Sequence, residues 1–487
     1  MVNGTGQSLS MLTDLYQLTM SAGYWDLERA EEEAVFNLFF RRHPFRGGYT
    51  LAAGLQQVIE LIEGFRFDGD DIRYLGSLKG NDDTPLFKAE FLEYLSSLKL
   101  TVDIDAVPEG TIVFPHQPLV RVKGPILQCQ LLETALLNIV NFQTLIATKA
   151  SRVAFAARDE PVLEFGLRRA QGIDGALAAS RAAFIGGCSA TSNVLAGKLF
   201  GIPVKGTHAH SWVMSFDDEQ QSFSAYADSM PNNCVFLVDT YDTLDGVRKA
   251  IEVGQSLRAR GNEMVGIRLD SGDLAYLSIE ARKMLDSAGF PNASIVASND
   301  LDEHIIDSLK RQGATIAVWG VGTKLVTAYD QPALGGVYKL AALKGDDGIW
   351  MPKIKLSEQS IKVSTPGILQ VRRFSDNGRF VADAMFDEQS GLEERPVIID
   401  PSDPVRQRRI DDVATYEDLL VPITRGGEIQ YDLPPLQAIR ERAGKQLSSL
   451  HAGVKRFENP HSYPAGLEQG LYKLRESLIR QARGASA

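Results

Sequence analysis

From about residue 160 to residue 324 the chain repeats one phrase: a short apolar run, a polar loop, then a helical stretch. The apolar runs fall at 162–165, 202–204, 235–238, 264–269, 294–297 and 315–319. Runs this short and this uniformly apolar read as strands buried on both faces. Asp174 opens a helical stretch stopped by Gly186 and Gly187, and Ser189 is expected to cap a second one ending near Gly201. Further helices are expected from Asp242 or Thr243 towards Gly261, through 273–289, and from about 300 to Gly313. Parallel strands need such crossovers. About six units in series favour an irregular α/β barrel, with a doubly wound sheet as the alternative.

The flanks read differently. Residues 102–124 are punctuated by proline and glycine and predict β hairpins, and similar signals return after residue 345. The expected division is an N-terminal α+β domain over 1–125 joined by part of 345–430, a barrel over 126–344, and a helical C-terminal extension over 431–487. A length of 487 residues with 44% hydrophobic content supplies enough core for such a plan. The net charge of −11 argues against a nucleic-acid partner. Three scattered cysteines give neither a disulfide framework nor zinc spacing and suit a reducing compartment. The opening MVNGTGQSLS lacks a basic and then apolar leader, and no apolar run reaches the ~18 residues of a membrane helix. A cytoplasmic enzyme is the expectation.

In a barrel, reactive groups gather where the strands end. The loops after the expected strands hold Arg168 and Arg169; Thr207, His208 and His210; Asp239 and Asp242; Arg268, Asp270 and Asp273; Ser298, Asn299 and Asp300; and Gly320, Gly322, Thr323 and Lys324. Six such loops in phase point to one polar mouth. Arg168 could be a solvated charge, but a guanidinium just beyond a strand suits a carboxylate or phosphate. A glycine-rich turn, Gly320 to Thr323, lets backbone N–H groups approach an anion, although such turns are often merely tight, and the spacing to Lys324 is not that of a P-loop. The two histidines of THAH could be structural, metal-binding or nucleophilic, and no third ligand stands at a usable spacing. Asp270 suits ribose hydroxyls or a metal-bound pyrophosphate, whereas Asp273 reads as a helix cap.

Several longer motifs resemble the nicotinate phosphoribosyltransferases: TDLYQLTM at 13–20, EFGLRRAQGIDG at 164–175, GTHAHSWVMSF at 206–216, IRLDSGDL at 267–274, GVGTKLVTAYDQPALGGVYKL at 320–340 and RFENPHSYPAGL at 456–467. They run in order along nearly the whole chain. The resemblance implies the type II phosphoribosyltransferase fold, a homodimer, a Mg²⁺ requirement, and ATP-coupled synthesis of nicotinate mononucleotide from nicotinate and phosphoribosyl pyrophosphate. It places the phosphorylated histidine at His210, nicotinate contacts at Tyr16, Thr207 and Arg268, and Thr323 on the phosphoribosyl pyrophosphate side. Arg168 matches an anion-binding arginine. The Mg²⁺ ligands stay unassigned. The alternatives are a related enzyme acting on nicotinamide or quinolinate, or a non-catalytic regulator on the same fold.

Overall fold

The computed structural model describes residues 8–410 and 415–484. Of the opening stretch read above for the absence of a leader, residues 1–7 lie outside them. The chain forms two compact units, one over Ile146–Pro332 and the other combining Met1–Leu145 with Ala333–Ala487.

The first unit holds a parallel six-stranded sheet. Its strands are β1 (Val162–Glu164), β2 (Ala190–Thr191), β3 (Val235–Leu237), β4 (Gly266–Leu269), β5 (Ser294–Ala297) and β6 (Val318–Val321), in the spatial order β2-β1-β6-β5-β4-β3. They are short, with Phe236, Ile267, Leu269, Ile295 and Val321 at 1% exposure or less, which is why they read as plain apolar runs. Asp242, Asp273 and Asp302 each cap the helix that follows a strand, accepting from the backbone N–H three residues on.

The two edges of this sheet are joined by residues 204–208. Val204 bridges Thr191 in β2, and the Lys205 N–H donates to the Thr191 carbonyl at 3.0 Å. Four residues after Val204, the His208 Nε2 accepts from the Leu237 N–H in β3 at 3.2 Å. The barrel is irregular in this physical sense: an imidazole stands where a strand ladder would close the circle.

Three expectations shift. The run 202–204 forms no strand, only the bridge of Val204 to Thr191, because the chain there makes a single pairing step before it leaves the sheet edge. Ser189 caps no helix; the sequence passes instead through β2, and the Asn193 side chain caps Val194–Phe200 by accepting from Ala196 N–H at 3.2 Å. The last strand begins at Val318 rather than 315, so Gly320 belongs to the strand and the turn starts at Gly322. Gly320 is small for a packing reason, since a Cβ there would lie 2.7 Å from the Phe165 ring.

The second unit is built mainly on antiparallel pairing, with one parallel pair, Arg379–Asp387 beside Ala465–Glu468. A seven-stranded sheet runs Trp350–Pro352, Gly336–Lys344, Glu33–Phe40, Val120–Pro125, Asp103–Ala106, Val421–Arg425 and Glu428–Ile429. Residues before 126 and after 332 thus share one sheet. A second sheet has six strands, among them Leu369–Asp376, Arg379–Asp387 and Ala465–Glu468. Residues 431–487 hold the helices Leu436–Ser449 and Gln469–Ala482, with the strand Ala465–Glu468 between them.

Candidate functional site

Strand register sets the level of the rim. Leu237 lies opposite Arg268, and Ala297 opposite Leu269. One or two residues further along each strand, Asp239, Asp270 and Ser298 therefore stand side by side at the C-terminal ends. The Asp270 N–H donates to Asp239 Oδ2 at 2.8 Å, and the Ser271 hydroxyl to the same oxygen at 2.7 Å. Asp239 thus fixes the loop that carries Asp270.

Arg268 is held at three points. Its Nε donates to Ser298 Oγ at 2.8 Å, Nη1 to Thr207 Oγ1 at 3.0 Å and Nη2 to Asp270 Oδ1 at 2.9 Å. A guanidinium has five N–H donors, so two stay available to a ligand. The Phe165 ring lies 5.8 Å from its carbon. Burial pushes the Asp270 carboxyl up, but the Ser298 hydroxyl and the Arg268 charge, with a smaller contribution from His210, more than offset this and hold it below the ordinary range.

The His210 Nδ1 lies 3.0 Å from the Thr240 hydroxyl, and its Nε2 lies 3.7 Å from Asp270 Oδ2. One ring nitrogen is anchored; the other faces a carboxylate from beyond hydrogen-bond distance, with the side chain 40% exposed. His208, two residues earlier, is 8% exposed and packed near Phe223 and Tyr226. Burial pushes its imidazole down to about 4. It is a neutral closure of the barrel, which is the structural one of the readings left open by THAH.

The structure therefore brings Thr207, His210, Arg268 and Asp270 into one cluster. Gly320 adjoins it, since a Cβ there would lie 3.4 Å from that of Ser298. Gly322 and Thr323 continue from it, and a Cβ on Gly322 would lie 3.2 Å from the Phe165 carbonyl. Arg168 is exposed in the turn Leu167–Arg169. That loop seats on the Thr323–Val326 turn through Gly166, whose Cβ would meet Val326 at 2.3 Å. Lys324 points to Asp302, at 2.8 Å. Tyr16 lies on the helix Leu15–Asp26 of the other unit and is 48% exposed. Sequence reasoning assigned no role to Asp239, Ser298, Thr240 or Phe165. Counting register outward from Arg268 finds the first two; nothing local marks the others.

Among the described residues no group of three or more His, Cys, Asp or Glu is placed to hold a metal by itself. Asp239 Oδ1 is nevertheless buried without a hydrogen-bond partner among the described residues, in the side chain that binds the Asp270 N–H. One or two carboxylates with ligand phosphates completing the shell is the usual manner of Mg²⁺, and this donor set fits it.

Comparison with known proteins covers nearly the whole chain. The nicotinate phosphoribosyltransferase (NAPRTase) family model matches residues 161–365, its N-terminal domain model 11–141, and its C-terminal domain model 370–475. A nicotinate phosphoribosyltransferase of Bacillus subtilis (strain 168) is 46% identical over 481 residues, spanning 98% of this chain and 96% of that protein. The Homo sapiens nicotinate phosphoribosyltransferase is 36% identical over 530 residues, 96% of each. A crystal structure of human nicotinic acid phosphoribosyltransferase superposes with a TM-score of 0.83 at 33% identity, covering 96% of this chain and 99% of that one.

Proposed function

The chain belongs to the nicotinate phosphoribosyltransferase family, and from that premise we propose that the barrel rim is where it joins nicotinate to phosphoribosyl pyrophosphate, in a cycle that hydrolyses ATP through His210. The enzyme is a nicotinate phosphoribosyltransferase, forming nicotinate mononucleotide and pyrophosphate and so feeding NAD synthesis. The single observation that carries the site assignment is the position of Arg268: locked by three neighbours, two N–H groups free, and sharing Asp270 with the His210 imidazole.

In this reading Arg268 holds the nicotinate carboxylate with its free N–H pair, a geometry that lysine cannot match. Thr207 orients Arg268, and the family resemblance assigns Tyr16 to nicotinate, where an aromatic ring suits a pyridine. The pyridine nitrogen attacks C1 of the ribose while the C1–O bond to pyrophosphate breaks, so the chain's task is to position the reactants and neutralise departing charge. Arg168 and the backbone of Gly320, Gly322 and Thr323 serve the phosphates. Mg²⁺, held by Asp239 and Asp270, would supply further neutralisation of phosphate charge.

The phosphoryl step uses His210 Nε2, with Nδ1–H donating to Thr240. Nε2 attacks the γ-phosphorus of ATP, ADP leaves, and water later takes the phosphoryl group to give inorganic phosphate. Asp270, kept ionised by Arg268 and Ser298, stabilises the imidazolium character that develops. The free thiols Cys129, Cys188 and Cys234 are all buried and suit a cytoplasmic setting; the family resemblance supports a homodimer. None of the described helices is long and apolar enough to cross a membrane.

One assay tests the reading: pyridine mononucleotide formation from nicotinate, nicotinamide and quinolinate in parallel, with and without ATP. Nicotinate should react fastest, and ATP should raise its turnover at low substrate. Preference for nicotinamide would remove the role given to Arg268, and indifference to ATP would remove the one given to His210.

A further inference from the structure

The tail motif at 456–467 takes no part in the barrel. It lines a cavity of about 470 Å³ within the unit that holds both chain ends. Four arginines reach this cavity, Arg41, Arg42, Arg46 and Arg475, against one carboxylate, Asp400. Asp400 already accepts from the Ser402 N–H at 2.8 Å and its hydroxyl at 2.6 Å. In a chain whose net charge is −11 this is a strong local reversal.

The arginines here differ from buried arginines elsewhere in the protein. Arg121, Arg152 and Arg373 each rest on a carboxylate, Asp105 at 2.9 Å, Glu303 at 2.7 Å and Asp383 at 2.6 Å. Arg475 is 7% exposed, yet its one carboxylate contact among the described residues is a 3.4 Å approach to its chain neighbour Glu476. The Nε of Arg41 is buried and has no hydrogen-bond partner among the described residues, and burial alone pulls that guanidinium below its usual range. Arg42 and Arg46 form no ion pair among the described residues. Burying a guanidinium without a counter-charge is costly, and an anion removes the cost. Burial, with the charges of Arg475 and Arg41 adding to it, pushes the His116 imidazole down to about 4. The backbone is also bent to serve the cavity: Arg46 and His116, both lining it, have left-handed φ of 50° and 69°.

We propose that this cavity binds a phosphate-bearing small molecule, with Arg41, Arg46 and Arg475 as its counter-charges. Val363, Met385 and Phe114 line the rest, leaving room for a sugar or ring beyond the phosphate. Two sources share this chemistry: a polyphosphate of the enzyme's own reaction, and a separate phosphorylated effector.

The test is equilibrium dialysis of labelled inorganic pyrophosphate against the full-length protein. Wild type should bind it at two classes of site per chain. The double variant Arg41→Gln/Arg46→Gln should lose one class, at least tenfold in affinity, while Arg168→Gln, at the arginine given to the phosphates of the barrel rim, weakens only the other. Arg46→Gln alone, at an exposed position, should weaken the first class several-fold and guards against a folding artefact. Undiminished pyrophosphate binding in both arginine variants overturns the proposal, whatever becomes of transferase activity. Initial rates then separate the sources. A raised KM for phosphoribosyl pyrophosphate in the double variant identifies the reaction's own polyphosphate; unchanged rates, with loss of modulation by added phosphate compounds, identify an effector.

Discussion

Two histidines two residues apart, His208 and His210, divide the barrel into a seam and a rim. At the seam His208 is buried, neutral, and bonded to a backbone N–H of β3. At the rim His210 is partly exposed, tethered through one nitrogen and facing Asp270 with the other. An extended stretch sends alternate side chains to opposite sides, so His208 and His210 would share a side were the segment straight. They part because His210 is the first residue of the helix His210–Met214, with Ala209 as its cap. One imidazole holds the barrel shut and the other is free to react, and the difference lies in the turn between them rather than in residue type.

The strongest way to break this comparison is to truncate the rim histidine. His210→Ala should abolish measurable ATP hydrolysis, since removing a covalent nucleophile costs on the order of 10⁶ in turnover, while slow ATP-independent transfer survives. Hydrolysis assayed by phosphate release decides it; a His210→Ala enzyme that still hydrolyses ATP would move the nucleophile elsewhere. Next comes Arg268→Ala, which should raise the nicotinate KM by about two orders of magnitude, on the scale of removing one partner of a buried charge pair (2–5 kcal/mol). The KM for ATP should move far less. Equal shifts in both would show that Arg268 holds the rim together rather than reading the carboxylate.

Most of the barrel was legible because buried parallel strands and capped helices leave a strong local signature, as with Val235–Leu237 followed by Asp242, and Ser294–Ala297 followed by Asp302. Strand β2 was not, since two residues carry no periodicity and Ser189 mimics a cap. Nor was the role of His208 decidable, because its bond to Leu237 joins residues 29 apart. The rim residues named beforehand cluster because Arg268 and Asp270 lie at the end of β4 and just beyond it, while Thr207 and His210 lie in and just after the closing segment 204–208. Asp239 and Ser298 were placed at the mouth by their loops, but their partners and roles needed the register between β3, β4 and β5, which sequence does not carry. The cavity of the other unit was invisible for the same reason: Arg41, His116, Asp400 and Arg475 come from four separate stretches.

The seam has its own test. His208→Ala should cost about 1–3 kcal/mol of stability, the range for a buried N–H left without its acceptor. His208→Gln should recover part of it by offering an amide oxygen to Leu237. The acid side sharpens this. An unfolded histidine takes its proton near pH 6.5, whereas folded His208 takes it near 4. Between those values the unfolded chain binds more protons, so stability is full above about 6.5, falls as pH drops towards 4, and levels off below; the loss is at most about 3 kcal/mol. His43 and His116, lowered to about 3 and about 4, act in the same direction. Urea midpoints of wild type and His208→Gln across pH 4–7 isolate the share of His208, and parallel curves would mean that it has none.

The smallest expected effect probes how the rim's two halves communicate. Ser298 Oγ accepts from Arg268 Nε at 2.8 Å and also bonds Asp270 Oδ1. Ser298→Ala removes both while leaving Arg268 tied to Thr207 and Asp270. About 1 kcal/mol is the scale for one such bond, so the nicotinate KM should rise by a few-fold. Asp270 also loses a donor, so its carboxyl should titrate nearer the ordinary range and the acid limb of the ATP-hydrolysis profile should shift to higher pH. If nicotinate affinity weakens while that limb stays fixed, Ser298 serves Arg268 alone, and the ionisation of Asp270 beside His210 rests on the Arg268 charge.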